Sequence, residues 1–176
     1  MGGTITVRSE EGKGTAVTLT FPVVATPVED HHEIEKKSPP KINVAESGKG
    51  RRTLVVEDNI ENLAYIRTVL RRANWEIRTA STGDEAIHSL QQEIPDIVLM
   101  DINLIGALNG FDLLKIIRAD KKLAHIPVIA VTAHAFEIER QLIIDAGFDG
   151  YLTKPFLPDQ LYETLAKHLP AKTNGQ

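Results

Sequence analysis

Three short apolar runs that do not alternate with polar residues constrain the fold of this chain most. They recur at intervals of roughly thirty to forty residues and cover Leu54–Val56, Ile97–Met100 and Val128–Val131. A strand that is apolar on both faces is buried on both faces, as in a parallel sheet. Two less apolar segments, Trp75–Ala80 and Gly150–Thr153, predict further strands nearer the sheet edges.

The segments between these strands have helical spacing. In the first, apolar residues three, four and three positions apart fall on one helix face: Leu63, Ile66, Leu70 and Ala73. The capping-box pattern at Thr82–Glu85 predicts the start of a second helix. Further helices are predicted over Phe111–Ile117, over 136–146 with Gly147 at its end, and from Pro158 onward. Five alternating strands and helices predict a doubly wound parallel α/β sheet.

The residues before these elements differ in composition. Two alternating segments flank Glu11–Gly14 and predict a β-hairpin, which is marginally stable on its own in water. The segment after it is rich in proline and mixed charge and lacks aromatic residues, which predicts a flexible linker. The predicted organisation is a hairpin at 1–24, a linker at 25–51, a domain at 52–170 and a disordered tail at 171–176.

Composition excludes several classes of protein. The 176 residues include no cysteine, so disulfides and thiolate metal sites are impossible. Lys and Arg number 20 against 24 Asp and Glu, and the net charge of −4 makes nucleic acid a poor partner. No apolar run reaches the roughly 20 residues that span a bilayer. We therefore expect a soluble, cytoplasmic protein without direct membrane contact.

Polar residues follow the predicted strands at the edge where such sheets bind ligands. Glu57 and Asp58 follow the first strand, and Asp101 follows the third. Thr132 and Lys154 follow the fourth and fifth. Three neighbouring carboxylates repel one another unless a cation compensates, and oxygen ligands favour magnesium. The pattern predicts a metal-assisted site where one carboxylate attacks phosphorus while Lys154 and Thr132 bind the phosphoryl oxygens.

Each of these residues taken alone also has a structural interpretation. Asp58 or Asn59 fits the N-cap of the first helix, and Thr132 fits that of the fourth. Lys154 alone fits a surface charge. The functional interpretation depends on finding all of them together at one edge of the sheet.

Four motifs in order resemble those of the response-regulator receiver domain: Glu57–Asn59, Met100–Asn103, Thr132–Ala133 and Tyr151–Pro155. The resemblance covers about 52–170. It implies a flavodoxin-like strand order of 2-1-3-4-5 and phosphorylation of Asp101 from a phosphohistidine donor. The implied partners are a histidine kinase or a histidine phosphotransfer protein, as phosphodonor or acceptor. A homodimer through the fourth helix, fifth strand and fifth helix is also compatible with the resemblance.

The resemblance also implies a ligand set for Mg²⁺: Asp58, Asp101, the backbone carbonyl of Asn103, and Glu57 through water. Lys154 would pair with the phosphoryl group, and its peptide bond to Pro155 would be cis. Thr132 and Tyr151 match the two positions whose coupled movement carries the signal. Asn103 and His134 match positions that tune dephosphorylation, although His134 is equally well interpreted as a surface histidine without a role.

The loop after the acceptor departs from the family pattern. Ile105 stands where family members usually have proline, and Gly110 lies nine residues after Asp101 instead of eight. The loop Leu104–Asn109 is therefore about one residue longer and lacks the usual rigid turn. Its conformation cannot be inferred from the resemblance.

A second, shorter resemblance lies in the first 22 residues. Gly2–Glu10, Gly12–Thr15 and Phe21–Pro22 look like the last two strands of a histidine-kinase ATPase domain. This implies a fragment of a hybrid sensor histidine kinase in which Met1 is an internal residue. An unrelated hairpin is the alternative interpretation.

The function expected from these residues is phosphorelay signal transduction. We expect no enzyme activity beyond self-phosphorylation from small donors and slow autodephosphorylation; a full-length parent would be a histidine kinase. A phosphatase of the haloacid dehalogenase type is an alternative, although Asn103 stands where that class needs a second aspartate as acid–base. A phosphorylation-independent pseudo-receiver that acts as an interaction module is another.

Overall fold

The computed structural model describes residues 3–10, 12–22, 48–133 and 137–169. The chain divides into two compact units, Met1–Pro39 and Pro40–Gln176. Most of the predicted linker, 25–47, and the predicted tail, 171–176, lie outside the described residues. The two units are described separately.

The first unit contains the predicted hairpin. Strands β1 (Thr4–Glu10) and β2 (Gly14–Thr20) pair antiparallel. Cross-strand pairing places Ile5 opposite Leu19 and Val7 opposite Val17. The side chains of these four residues are all more than half exposed. The described hairpin therefore presents an apolar face that it does not itself cover.

The second unit contains one parallel sheet of five strands: β3 (Arg52–Val56), β4 (Glu76–Ala80), β5 (Ile97–Asp101), β6 (Val128–Thr132) and β7 (Gly150–Thr153). Their order in the sheet is β4-β3-β5-β6-β7, which confirms the expected 2-1-3-4-5 order. Every residue of β5 and β6 is buried, whereas the less apolar strands β4 and β7 form the edges. Burial on both faces thus accounts for the non-alternating apolar runs.

Five helices cover the two faces of this sheet: α1 (Ile60–Arg72), α2 (Gly83–Gln92), α3 (Gly110–Ala119), α4 (Glu137–Asp145) and α5 (Pro158–His168). Adjacent residues of a strand point to opposite faces. Leu54 and Val56 accordingly join a core cluster with residues of α2, α3 and α4. Val55 joins a second cluster with residues of α1 and α5. This two-sided core confirms the doubly wound α/β fold.

The helix caps settle the alternatives left by the sequence. Asn59, not Asp58, caps α1: its side chain accepts hydrogen bonds from the backbone of Glu61 and Asn62. Asp58 is therefore free of that structural role. Helix α4 begins at Glu137, five residues beyond Thr132, so the interpretation of Thr132 as its cap is wrong.

The last residues of the predicted linker belong to the second unit and pack against its helix α1. The Gly48 N–H donates to the Ala73 carbonyl at 2.9 Å, and the Arg51 N–H donates to Gly48. A Cβ atom at Gly48 would overlap the ring of Trp75, so the turn depends on glycine. Residues 48–51 thus pack beside the end of α1.

Thr53 provides a test of the packing of β3. Its hydroxyl is buried without a hydrogen-bond partner, and the residue is 1% exposed. We expect Thr53→Val to raise the free energy of unfolding by about 1 kcal/mol, because a methyl group of similar shape avoids the desolvation cost. Urea denaturation measures this change. Thr53→Ser is the control: it keeps the hydroxyl and should destabilise, and the same effect from both variants would contradict the prediction.

Candidate functional site

The carboxyl ends of the inner strands bring three acidic residues together. Glu57 follows β3, Asp58 comes next, and Asp101 is the last residue of β5. One carboxylate oxygen from each lies within 4.8 Å of the others. Glu57 is 1% exposed and Asp101 6%, while Asp58 is half-buried. The cluster forms because β3 and β5 are neighbours in register, with Val56 opposite Met100.

Lys154 joins this cluster from the end of β7. Its Nζ donates to Asp101 Oδ2 at 2.6 Å and to Glu57 Oε2 at 2.8 Å. Burial of Lys154 lowers the pKa of its ammonium, but the bonds to Asp101 and Glu57 outweigh this, so the pKa lies above its usual value. The side chain is therefore charged at neutral pH. One ammonium against three carboxylates leaves a net charge of −2 in the cluster, which favours a further cation.

Further donors orient each carboxylate. Asn62 Nδ2 donates to Glu57 Oε1 at 2.9 Å, and the Asn103 N–H donates to Asp101 Oδ1 at 2.9 Å. The Ile105 N–H donates to Asp58 Oδ2 at 3.1 Å. Sequence analysis did not identify Asn62 or the Ile105 amide as site groups. The polar Asn62 in the first turn of α1, on the helix that starts beside the acidic pair, was the available signal.

Gly110 approaches the backbone of Asp101. A Cβ atom there would lie 2.6 Å from the Asp101 carbonyl oxygen and 2.7 Å from the Ile102 Cα. The Gly110 N–H also donates to the Ile102 carbonyl at 3.2 Å. Although the loop is one residue longer than in the resemblance, α3 thus begins directly against the strand that carries Asp101.

Gly110→Ala tests this close approach. Alanine normally stabilises a helix relative to glycine by about 0.5–1 kcal/mol. Here we expect the opposite sign, a loss of about 1–3 kcal/mol, because the added methyl group would press on the Asp101 backbone. Thermal and urea denaturation measure the change. A stabilised variant would show that the backbone contact is not tight.

Thr132 and Tyr151 lie on the two strands beside the acidic cluster. Thr132 is the last residue of β6 and is fully buried; its carbonyl accepts from the Lys154 N–H at 2.7 Å. Tyr151 on β7 is half-buried, packs against the core and pairs with Ala130. The guanidinium of Arg140 on α4 lies 5.4 Å from the centre of its ring.

The Lys154–Pro155 peptide bond is cis. His134 lies outside the described residues.

A cavity of about 330 Å³ adjoins the cluster, lined by Asn62, Tyr65, Ile66, Lys154, Pro155 and Phe156. The Tyr65 hydroxyl donates to the Phe156 carbonyl at 2.8 Å, and the centres of the two rings lie 5.6 Å apart. Three large apolar side chains near the ends of the surrounding loops are exposed: Ile60, Ile105 and Leu157. Exposed apolar side chains thus occur in the segments beside the cluster, which suits contact with a protein.

This site fits chemistry at phosphorus. Only oxygen ligands are offered, which suits a hard cation such as Mg²⁺. Asp101 has both oxygens oriented, by Asn103 and Lys154. A parallel sheet in 2-1-3-4-5 order with an acidic cluster and a strand-end lysine is the arrangement expected of a phosphoacceptor signalling domain.

Sequence comparison agrees with this class. Residues 53–166 match the family model described as the response regulator receiver domain. The chain belongs to this family and is a receiver domain of two-component phosphorelay signalling. That result removes the phosphatase alternative of the haloacid dehalogenase type.

The chain is similar to several known receivers. It is 34% identical over 116 residues to the polar-differentiation response regulator DivK of Brucella ovis, covering 66% of this chain and 94% of DivK. It is 35% identical over 124 residues to the sensor protein GacS of Pseudomonas syringae, covering 69% of this chain but only 14% of GacS.

A solved structure shows the same fold with a metal. The receiver domain of sensor histidine kinase PA1611 from Pseudomonas aeruginosa, which has a magnesium ion coordinated in its active site cleft, is 32% identical. Its TM-score is 0.62, and the match covers 66% of this chain and 95% of that one. Within the described ranges of the present chain, no helix is both long and apolar enough to cross a membrane.

Proposed function

We propose that this domain accepts a phosphoryl group on Asp101 from a phosphohistidine donor, with Mg²⁺ as cofactor. The observation that carries the proposal is the position of Asp101: buried, bonded to Lys154, and within 4.8 Å of two further carboxylates. Of the three carboxylates, Glu57 is the most deeply buried. Lys154 bonds Glu57 and Asp101, and not Asp58. Asp101 is therefore the carboxylate best placed as nucleophile.

The transfer is a displacement at phosphorus. An Asp101 oxygen forms the new O–P bond while the P–N bond to the donor histidine breaks, and the imidazole leaves with the electron pair and takes up a proton. Lys154 and the Thr132 hydroxyl neutralise and hydrogen-bond the phosphoryl oxygens. The Asn103 N–H holds the Asp101 carboxylate in a fixed orientation, which lowers the entropic cost of attack.

The proposed metal ligands are Asp58, Asp101, the backbone carbonyl of Asn103, and Glu57 through water. The −2 net charge and the all-oxygen donor set of the cluster support Mg²⁺. When bound, Mg²⁺ would supply charge neutralisation of the phosphoryl oxygens. Lys154 holds the Glu57 carboxylate in place through its 2.8 Å bond.

Phosphorylation is proposed to shift a two-state equilibrium through Thr132 and Tyr151. Movement of the Thr132 hydroxyl toward the phosphoryl group would vacate space that the half-buried Tyr151 ring can enter. Conversion of a 1:99 population to 99:1 takes about 5.5 kcal/mol, which charge-assisted hydrogen bonds to a phosphoryl group on Asp101 would supply together with the charge of a bound cation. The affected surface is α4, β7 and α5, where a homodimer is proposed to form.

The donor or acceptor is proposed to be a histidine kinase or a histidine phosphotransfer protein. The exposed apolar side chains Ile60, Ile105 and Leu157 and the cavity beside Lys154 support a protein partner. Self-phosphorylation from small donors and slow autodephosphorylation, tuned by Asn103 and His134, belong to the same proposal. We also propose that the protein is located in the cytoplasm.

The hairpin supports the origin of this chain in a hybrid sensor histidine kinase. Its exposed apolar residues, Ile5, Val7, Val17 and Leu19, need a cover that the described hairpin does not supply. A reading frame that continues upstream into an ATPase domain would support this origin. An upstream stop codon followed by a translation start at Met1 would refute it.

Phosphotransfer to the purified chain tests the proposed function. The chain is incubated with a phosphorylated histidine phosphotransfer protein or acetyl phosphate, and intact mass and NMR spectra are recorded. We expect one added phosphoryl group and shifts at Thr132 and Tyr151, both only with Mg²⁺ and neither with chelator. Absence of modification under all conditions would instead favour a pseudo-receiver interaction module.

A further inference from the structure

The loop that follows Asp101 is built differently from the sequence pattern of the family. Leu104 is 6% exposed and belongs to the core, so the base of the loop is anchored. The next residue, Ile105, is 79% exposed. Gly106 then has a φ of +140°, which residues with a side chain rarely adopt. The chain therefore turns sharply just after Ile105 while the Ile105 side chain contacts solvent.

The Ile105 backbone, unlike its side chain, contacts the site. Its N–H donates to Asp58 Oδ2 at 3.1 Å, across 47 positions of sequence. Within the described part of the chain this is the only hydrogen bond to the Asp58 carboxylate, since Lys154 bonds Glu57 and Asp101 instead. The family proline at this position has no N–H and could not make the bond.

We infer that the Ile105 N–H is a positioning group for the metal site, which fixes the orientation of the Asp58 carboxylate through its bond to Oδ2. The inference rests on the proposed function, because it requires Asp58 to be a metal ligand. Hydrogen bonds to the ligands of a metal fix their orientation, and loss of such a bond typically lowers metal affinity by about 10–100-fold. The loop is one residue longer than the family pattern and lacks its proline turn. A hydrogen bond from the Ile105 N–H to Asp58 takes the place of that turn.

Two substitutions at one position separate the backbone from the side chain. Ile105→Ala keeps the N–H and removes only exposed apolar atoms, so it should bind Mg²⁺ as the wild type does. Ile105→Pro removes the donor and should weaken Mg²⁺ binding by about tenfold or more. Isothermal titration calorimetry with MgCl₂ measures both dissociation constants. Equal affinity in the alanine and proline variants would overturn the inference.

A metal-free measurement gives a second readout. Amide hydrogen exchange by NMR in chelator should show the Ile105 N–H protected in the wild type and exposed in Asp58→Ala. Equal exchange in both proteins would also overturn the inference.

If Ile105→Pro does not fold, Gly106→Ala tests whether the loop conformation that places the Ile105 N–H is needed for metal binding. A Cβ atom there meets nothing within 4 Å, so the substitution acts only through backbone conformation. We expect weaker Mg²⁺ binding and faster exchange of the Ile105 amide hydrogen. Unchanged values would show that the bond from the Ile105 N–H to Asp58 does not position the metal site. Wild-type protein that binds no Mg²⁺ would instead refute the proposed function, whatever the Ile105 exchange rate.

Discussion

Asp101→Asn is expected to abolish phosphorylation of this protein completely. The amide is not a nucleophile toward phosphorus, and of the two carboxylates that Lys154 bonds, Asp101 is the less deeply buried and the more accessible to a donor. With acetyl phosphate and Mg²⁺, intact mass should show one phosphoryl group on the wild type and none on the variant. The shifts of Thr132 and Tyr151 should disappear with it.

Asp84→Asn is a matched control for this experiment. Asp84 is exposed in the first turn of α2 and is not one of the clustered carboxylates, so its loss should leave phosphorylation unchanged. An Asp101→Asn protein modified to the wild-type extent would place the acceptor elsewhere. Circular dichroism and urea denaturation establish that both variants are folded, which the retained Lys154–Glu57 bond favours.

Lys154→Met is expected to lower the free energy of unfolding by about 3 kcal/mol in metal-free buffer at neutral pH. The ammonium bonds two carboxylates whose side chains are 1% and 8% exposed, in Glu57 and Asp101. Removal of one partner of a buried ion pair typically costs about 3–5 kcal/mol, because the remaining charge is uncompensated. Urea denaturation in chelator measures the loss. Saturating Mg²⁺ should restore more stability to the variant than it adds to the wild type.

Lys115→Met provides the control for loss of a lysine charge. Lys115 pairs with Asp112 at 3.4 Å, but their side chains are 76% and 40% exposed, so the change should be small. Lys154→Arg should fold normally, yet lose the phosphorylation-induced shift at Tyr151, because the longer, planar guanidinium presents its donors differently. A Lys154→Met protein as stable as the wild type would show that Lys154 does not balance the cluster.

The conformation of the loop after Asp101 could not be predicted from the sequence. The pattern showed an extra residue and a missing proline, but not that the chain would turn at Gly106 or that Ile105 would bond Asp58. The loop ends at Gly110, where the backbone of α3 packs directly against that of Asp101, and no periodicity in the sequence encodes this contact.

The sequence by itself determined the sheet, its helices and the edge where chemistry occurs. Apolar periodicity is a local property of each segment, and it showed that β5 and β6 would be buried on both faces. Because the carboxyl ends of parallel strands lie at one edge, the residues that follow them had to meet there. Asp101, Thr132 and Lys154 were identified in this way.

Only the tertiary structure decided which groups bond to which. Asn59 caps α1, so Asp58 is available to the acidic cluster. The ammonium of Lys154 donates to Glu57 and Asp101. These choices depend on hydrogen-bond distances between segments far apart in the chain, where a shift of less than 1 Å decides whether a bond exists. A one-dimensional pattern places residues at an edge, whereas the packing of helices on the sheet sets those distances.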